Sequence, residues 1–211
     1  MSVDGSRRRD VLVLVPDQAY VKTFDALLQR PKAFAIRPVD FAIEFHADRD
    51  PGCLRGSGAF LRRHLPVYEH ALVCFDRAGC GRDELEAPEL EQMVEQELSR
   101  SGWAARAAAV VVDPELEAWV WSDSPHVSAC LGWSGRRPSL REWLAREGWW
   151  AHDHQKPQDP KGAVHAALRQ ARKRRSTMVF ADLAGRVSLR GCTDRAFLRL
   201  RDILRRWFPP N

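Results

Sequence analysis

Five acidic side chains stand where apolar, strand-like runs end. Asp17 follows "DVLVLVP" (10–16), Asp76 closes "ALVCF" (71–75), and Asp113, Glu115 and Glu117 follow "AARAAAVVV" (104–112). In an open parallel sheet, ligands bind beyond the carboxyl ends of the strands, where loops and helix N-termini converge. Hard divalent cations such as Mg²⁺ take oxygen ligands from converging carboxylates, and a metal held there stabilises the attacking and leaving oxygens of a phosphodiester displacement. Each residue also has a plainer reading. Asp17 and Asp113 precede expected helix starts and suit an N-cap, and Glu115 and Glu117 fall in a first turn, where the helix dipole favours them. Asp76 differs, because the "DRAGCG" loop after it starts no helix and gives it no capping role.

Those positions require strands and helices in alternation. "DVLVLVP" is a continuous β-branched and Leu run ended by Pro16, the pattern of a strand buried on both faces. "DQAYVKTFDALLQR" (17–30) then spaces Tyr20, Val21, Phe24, Leu27 and Leu28 along one helix face. "AFAIRPVDFAIEF" (33–45) reads as a second strand, and Pro38 makes it an edge strand or a bent one. A short helix is expected over 57–65, the third strand over 71–75, and a helix over 87–102 with Pro88 in its first turn and Gly102 as its stop. A fourth strand over 104–112 and a helix begun by Asp113 complete the pattern. The alternation predicts an α/β fold, a mostly parallel four-stranded sheet with helices on both faces.

After residue 124 the alternation ends. A segment rich in Trp, Pro and Gly, with the loop "AHDHQKPQDPKG" (151–162), leads to a basic helix over 162–175. A short extended or turn segment over 186–189 and the helix "DRAFLRLRDILRRWF" (194–208) follow, the latter with an apolar stripe suited to packing on the sheet. The expected division is an α/β domain over 8–124 and a Trp-rich, basic, mainly helical region over 125–211 packed on it.

Of the 211 residues 45% are hydrophobic, enough for a proper core, and 33 Lys and Arg outnumber 28 Asp and Glu. The excess concentrates in "RQARKRR" (169–175). There Arg169, Arg172, Lys173, Arg174 and Arg175 are candidates to neutralise DNA or RNA phosphates; a solvated helix end is the alternative. The five cysteines are odd in number and never form CxxC, which indicates neither a disulfide framework nor a structural zinc and suits a cytoplasmic protein. No apolar run reaches about 18 residues, so no membrane partner is expected. "HDH" at 152–154 has ligand-like spacing but lies in a Pro-containing loop, where a solvated pair is the expectation. No Walker loop, GxSxG elbow or GxGxxG follows any strand.

A strand ending in an acidic residue and a helix ("VLVLVPDQAYVKTFDALL"), a strand ending in Asp and Gly ("ALVCFDRAGCG") and a later strand followed by "DPELEAW" resemble a Toprim fold. More specifically, they resemble the bacterial Toprim-like proteins related to the OLD-family nucleases, often found beside ATPases or phage-defence genes. A segment like "STMVFADLAGRVSLRGCTDRAFLRLRDIL" (176–204) recurs in those relatives, so the resemblance spans most of the chain. It implies a Glu after the first strand and an Asp-x-Asp after the third, holding Mg²⁺ for phosphodiester cutting or transfer. Here Asp17 stands in for the Glu, and Asp76-Arg77-Ala78 lacks the second Asp.

On that resemblance the candidate metal ligands are Asp17, Asp76 and Asp113, and the candidate catalytic set is Asp17, Asp76, Glu115 and Glu117. The expected function is a degenerate Toprim-like component of a bacterial antiviral defence system, working through other defence-system proteins and nucleic acid. The alternative is a Mg²⁺-dependent nuclease acting on DNA or RNA, its site completed by Asp113, Glu115 or Glu117.

Overall fold

The computed structural model describes residues 8–122, 124–151, 153–189 and 191–210. Four strands, β1 (Arg9–Val15), β2 (Phe41–Phe45), β3 (Tyr68–Asp76) and β4 (Ala107–Val112), form one sheet in the order β2-β1-β3-β4. Every neighbouring pair is parallel. Parallel strands need crossovers. Helices α1 (Gln18–Leu28) and α2 (Pro31–Phe34) link β1 to β2, α3 (Arg49–Arg62) links β2 to β3, and α4 (Ala87–Arg100) links β3 to β4.

The two faces explain the unbroken apolar runs. Val11, Val13, Val15, Leu72, Cys74, Val110 and Val112 pack with α1 and the C-terminal helices, whereas Leu12, Leu14, Ala71, Val73, Phe75, Ala109 and Val111 pack with α3 and α4. Successive side chains point to opposite faces, and both faces are covered.

The C-terminal helices α5 (Pro125–Cys130), α6 (Leu140–Arg146), α7 (Pro160–Gln170), α8 (Met178–Arg186) and α9 (Arg195–Trp207) share the first of these cores. α8 lies on α1 and α9 on β4. The tryptophans pack in pairs, Trp121 edge-on to Trp150 at 5.4 Å and Trp133 tilted on Trp143 at 4.7 Å between ring centroids.

Four expected elements are corrected. The second strand is only Phe41–Phe45, because Pro31 starts a helical turn and Ala35 leaves it in the left-handed region, so 33–40 cannot extend along β1. Its edge position agrees with Pro38. The short helix expected over 57–65 is the longer α3, starting at Arg49. The chain after β4 does not start a helix at Asp113; a 3-10 turn forms over Leu116–Trp119 with Glu115 before it. The basic helix stops at Gln170, and its last arginines lie beyond it.

β4 is an edge strand with no strand on its outer side, and side chains take the place of a fifth strand. Glu91 accepts from the Val111 amide (2.9 Å) and Glu95 from the Ala109 amide (3.0 Å). Arg195 donates to the Val111 carbonyl (2.9 Å) and Arg199 to the Ala109 carbonyl (2.8 Å). The same arginines pair with Glu91 (2.8 Å) and Glu95 (2.6 Å), so α4 and α9 close the edge between them. Buried backbone groups need partners. Replacing Glu91 by Leu orphans the Val111 N–H and leaves Arg195 without its carboxylate, which should cost roughly 2–3 kcal/mol. Urea denaturation of the Glu91→Leu protein measures this, and a loss below about 0.5 kcal/mol would show that the edge does not depend on the carboxylate.

Candidate carboxylate centre

β3 delivers Asp76 to the carboxyl edge of the sheet. One of its oxygens accepts from the Leu116 amide at 2.8 Å and from the Tyr20 hydroxyl. Tyr20 is in reach because Asp17 caps α1, accepting from the amides of Ala19 (2.8 Å) and Tyr20 (3.1 Å). Asp17 is therefore an N-cap that also orients the phenol facing Asp76.

The Asp76 amide donates to Asp50 at 2.9 Å. Asp50 stands in the first turn of α3, and this helix can approach the end of β2 because Gly52 has no side chain. A Cβ there would lie 2.0 Å from the His46 ring. Glu115 and Glu117 come from the segment after β4. Glu115 accepts from Lys161 Nζ at 2.7 Å, and Glu117, only 5% exposed, has the Arg175 guanidinium 3.6 Å away. Lys161 is held in the first turn of α7 by two neighbours: Asp159 caps the helix, and Trp121 Nε1 donates to the Pro160 carbonyl at 3.1 Å.

The electrostatics follow from burial and like charge. Asp76 is pushed well above the usual carboxylate range by burial; the Tyr20 hydroxyl opposes this, while Asp50, Glu117 and Glu115 add to it. Burial also raises Asp50 and Glu117, with Asp17 adding to the first and Glu115 to the second, and Lys161 and Arg175 pulling Glu117 back. For Lys161 burial works the other way, but Glu115, Glu117 and Asp76 outweigh it and its pKa is raised. Lys161 thus serves as the cation of the cluster.

Of the expected site residues, Asp17, Asp76, Glu115 and Glu117 gather at this edge, whereas Asp113 turns to Arg77 (2.8 Å). Arg77 also donates to the Asp83 carbonyl (3.0 Å), and the Ala78 amide donates to the Pro114 carbonyl (2.9 Å), so the "DRAGCG" loop closes on the segment after β4. The Cys74 thiol is raised far above its ordinary value by burial and by Asp76, which makes it no nucleophile. His154 Nδ1 lies 2.9 Å from Asp153 in an exposed loop, and His152 of the "HDH" pair lies outside the described residues.

Three members escaped the sequence reading. Asp50 carried a usable signal, since "HADRDPG" follows directly on a strand-like run and belongs to the same sheet edge. Tyr20 read only as part of an apolar helix face. Lys161 carried none, being 46 residues from the Glu115 it neutralises.

The donor set has the hard oxygen chemistry that Mg²⁺ takes. As arranged, however, it does not fit the ion: among the described residues no three His, Cys, Asp or Glu side chains converge to hold a metal, and Lys161 already supplies positive charge. Compared with known proteins, the chain matches no family model, no curated protein and no solved structure.

Asp76 also predicts a pH dependence. Its folded pKa is raised above the unfolded value near 3.8, so its contribution favours folding at low pH and is lost as pH rises through the folded value. Asp76→Asn keeps an acceptor for Leu116 and Tyr20 without ionising. It should be more stable than wild type at about pH 8, with the difference shrinking towards about pH 4. Thermal melts of both proteins across that range check the sign, and a variant less stable at high pH would show that the ionised carboxylate is needed.

Proposed function

We propose that this chain is a degenerate Toprim-like component of a bacterial antiviral defence system, acting through protein partners and nucleic acid rather than by cutting phosphodiester bonds. The observation that carries the reading is Lys161. Its ammonium donates to Glu115 and is drawn also by Glu117 and Asp76, so the carboxylate centre contains its own cation. Ala78 at the position of the second Asp supports the same reading, as does Asp113, which is engaged by Arg77. The defence setting comes from the resemblance of the strand-end motifs. In this role the centre is a structural knot that fixes the loops after β1, β3 and β4 for a partner to recognise.

A second reading, a Mg²⁺-dependent nuclease, is favoured by one observation. Asp17, Asp50, Asp76, Glu115 and Glu117 outnumber the cations Lys161 and Arg175, and an excess of buried and half-buried carboxylates is what a divalent ion relieves. Calorimetric titration with Mn²⁺ separates the two. The proposal predicts no saturable heat assigned to the centre; a saturable heat that disappears in Asp76→Asn would contradict it and support the nuclease.

A further inference from the structure

The arginines after α7 are held on a fixed turn. Past Gln170 the chain leaves the helix by a Schellman turn, in which the Arg172 amide donates to the Arg169 carbonyl (3.0 Å) and the Lys173 amide to the Leu168 carbonyl (2.9 Å). Arg172 takes the left-handed conformation of this motif, with φ 54°. Glycine is preferred there because a Cβ crowds the following carbonyl. Arg172 therefore carries a guanidinium at a position that glycine would fill with less strain.

The turn is clamped from outside. Lys173 Nζ donates to the Cys130 carbonyl of α5 at 2.6 Å, and Arg136 donates to the Gln170 carbonyl at 3.2 Å. Lys173 is exposed like Arg169, Arg172, Arg174 and Arg175, but its ammonium is taken by the Cys130 carbonyl, which leaves the four arginines as the candidate contacts. Among the described residues no carboxylate pairs with Arg169, Arg172 or Arg174; Arg175 faces Glu117. Lys161, His165 and Arg169 follow at i, i+4 and i+8 on one face of α7. Burial lowers the pKa of the His165 imidazole between them, and Arg175, Lys161 and Arg169 lower it further against the opposing charge of Glu115.

We propose that this turn binds the phosphate backbone of a nucleic-acid strand, with Arg169, Arg172, Arg174 and Arg175 as its contacts. An acidic protein surface would call for apolar or aromatic anchors at the centre of the patch. Residues 169–177 offer no apolar side chain larger than Ala171, and the exposed Met178 that follows is a single contact at the margin of the patch, not a central cluster. Guanidinium groups alone are what a phosphate backbone needs. The proposal names a partner for the scaffold described above and rests on that reading, but strand binding is measured in EDTA and metal binding by calorimetry, so either can fail alone.

The test is fluorescence anisotropy with a fluorescein-labelled oligo-dT of about 20 nucleotides, in EDTA, across a salt series. Arg172→Gly should reduce the slope of log K against log salt by about 0.7, the single-strand value for one phosphate. The same substitution should raise the melting midpoint by about 2–4 °C, because glycine relieves the left-handed strain. Loss of binding in a more stable protein is not an unfolding artefact. Arg174→Gln should lower the slope alike, and Arg174→Lys should restore it. Slopes unchanged in both neutral variants would overturn the proposal, as would poly-glutamate displacing the oligonucleotide equally well per charge.

Discussion

Carboxylates gathered at one end of a parallel sheet repel each other, and burial makes each ionised form costlier. In this protein Asp76, Asp50 and Glu117 are all raised for that reason. The arrangement is tenable because each is engaged: Asp76 by Tyr20 and Leu116, Asp50 by the Asp76 amide, Glu115 by Lys161 and Glu117 by Arg175. Lys161 and Arg175 both come from the C-terminal region. The α/β sheet and the helices that follow it are therefore joined electrostatically at this edge, as well as through their shared apolar core.

A similar division of labour closes the far edge of the sheet. Glu91 and Glu95 from α4 and Arg195 and Arg199 from α9 satisfy the backbone of β4 without adding a strand. Unpaired edges invite pairing with other chains, and a charged ladder prevents it at β4. The two charge networks differ in consequence. The one at β4 pairs carboxylates and guanidiniums side by side, whereas the one at the carboxyl edge leaves an acidic centre bordered by the exposed arginines after α7.

Much of the fold was legible because it depends on short-range pattern. The runs of Val, Leu and Ala specify strands buried on both faces, and Asp17 reads as a cap because capping is a contact over two or three residues. The misreadings arose where tertiary contacts override local preference. "DPELEAW" carries every local mark of a helix start, yet Arg77 takes the Asp113 carboxylate and the turn begins only after Glu115. The site was half legible: strand ends disclosed Asp17, Asp76, Glu115 and Glu117. Lys161 stayed hidden, since an ion pair across 46 residues leaves no trace in spacing.

The carboxylate centre depends most on Lys161, whose ammonium is hydrogen-bonded to Glu115. The most direct measurement is a pH titration of the Lys161 side-chain ammonium by heteronuclear NMR, with and without Mg²⁺. If the ammonium neutralises the carboxylates, its pKa lies above the ordinary lysine value of about 10.4 and its titration curve is unmoved by Mg²⁺. A pKa below that value, or a resonance that shifts saturably as Mg²⁺ is added, would contradict it.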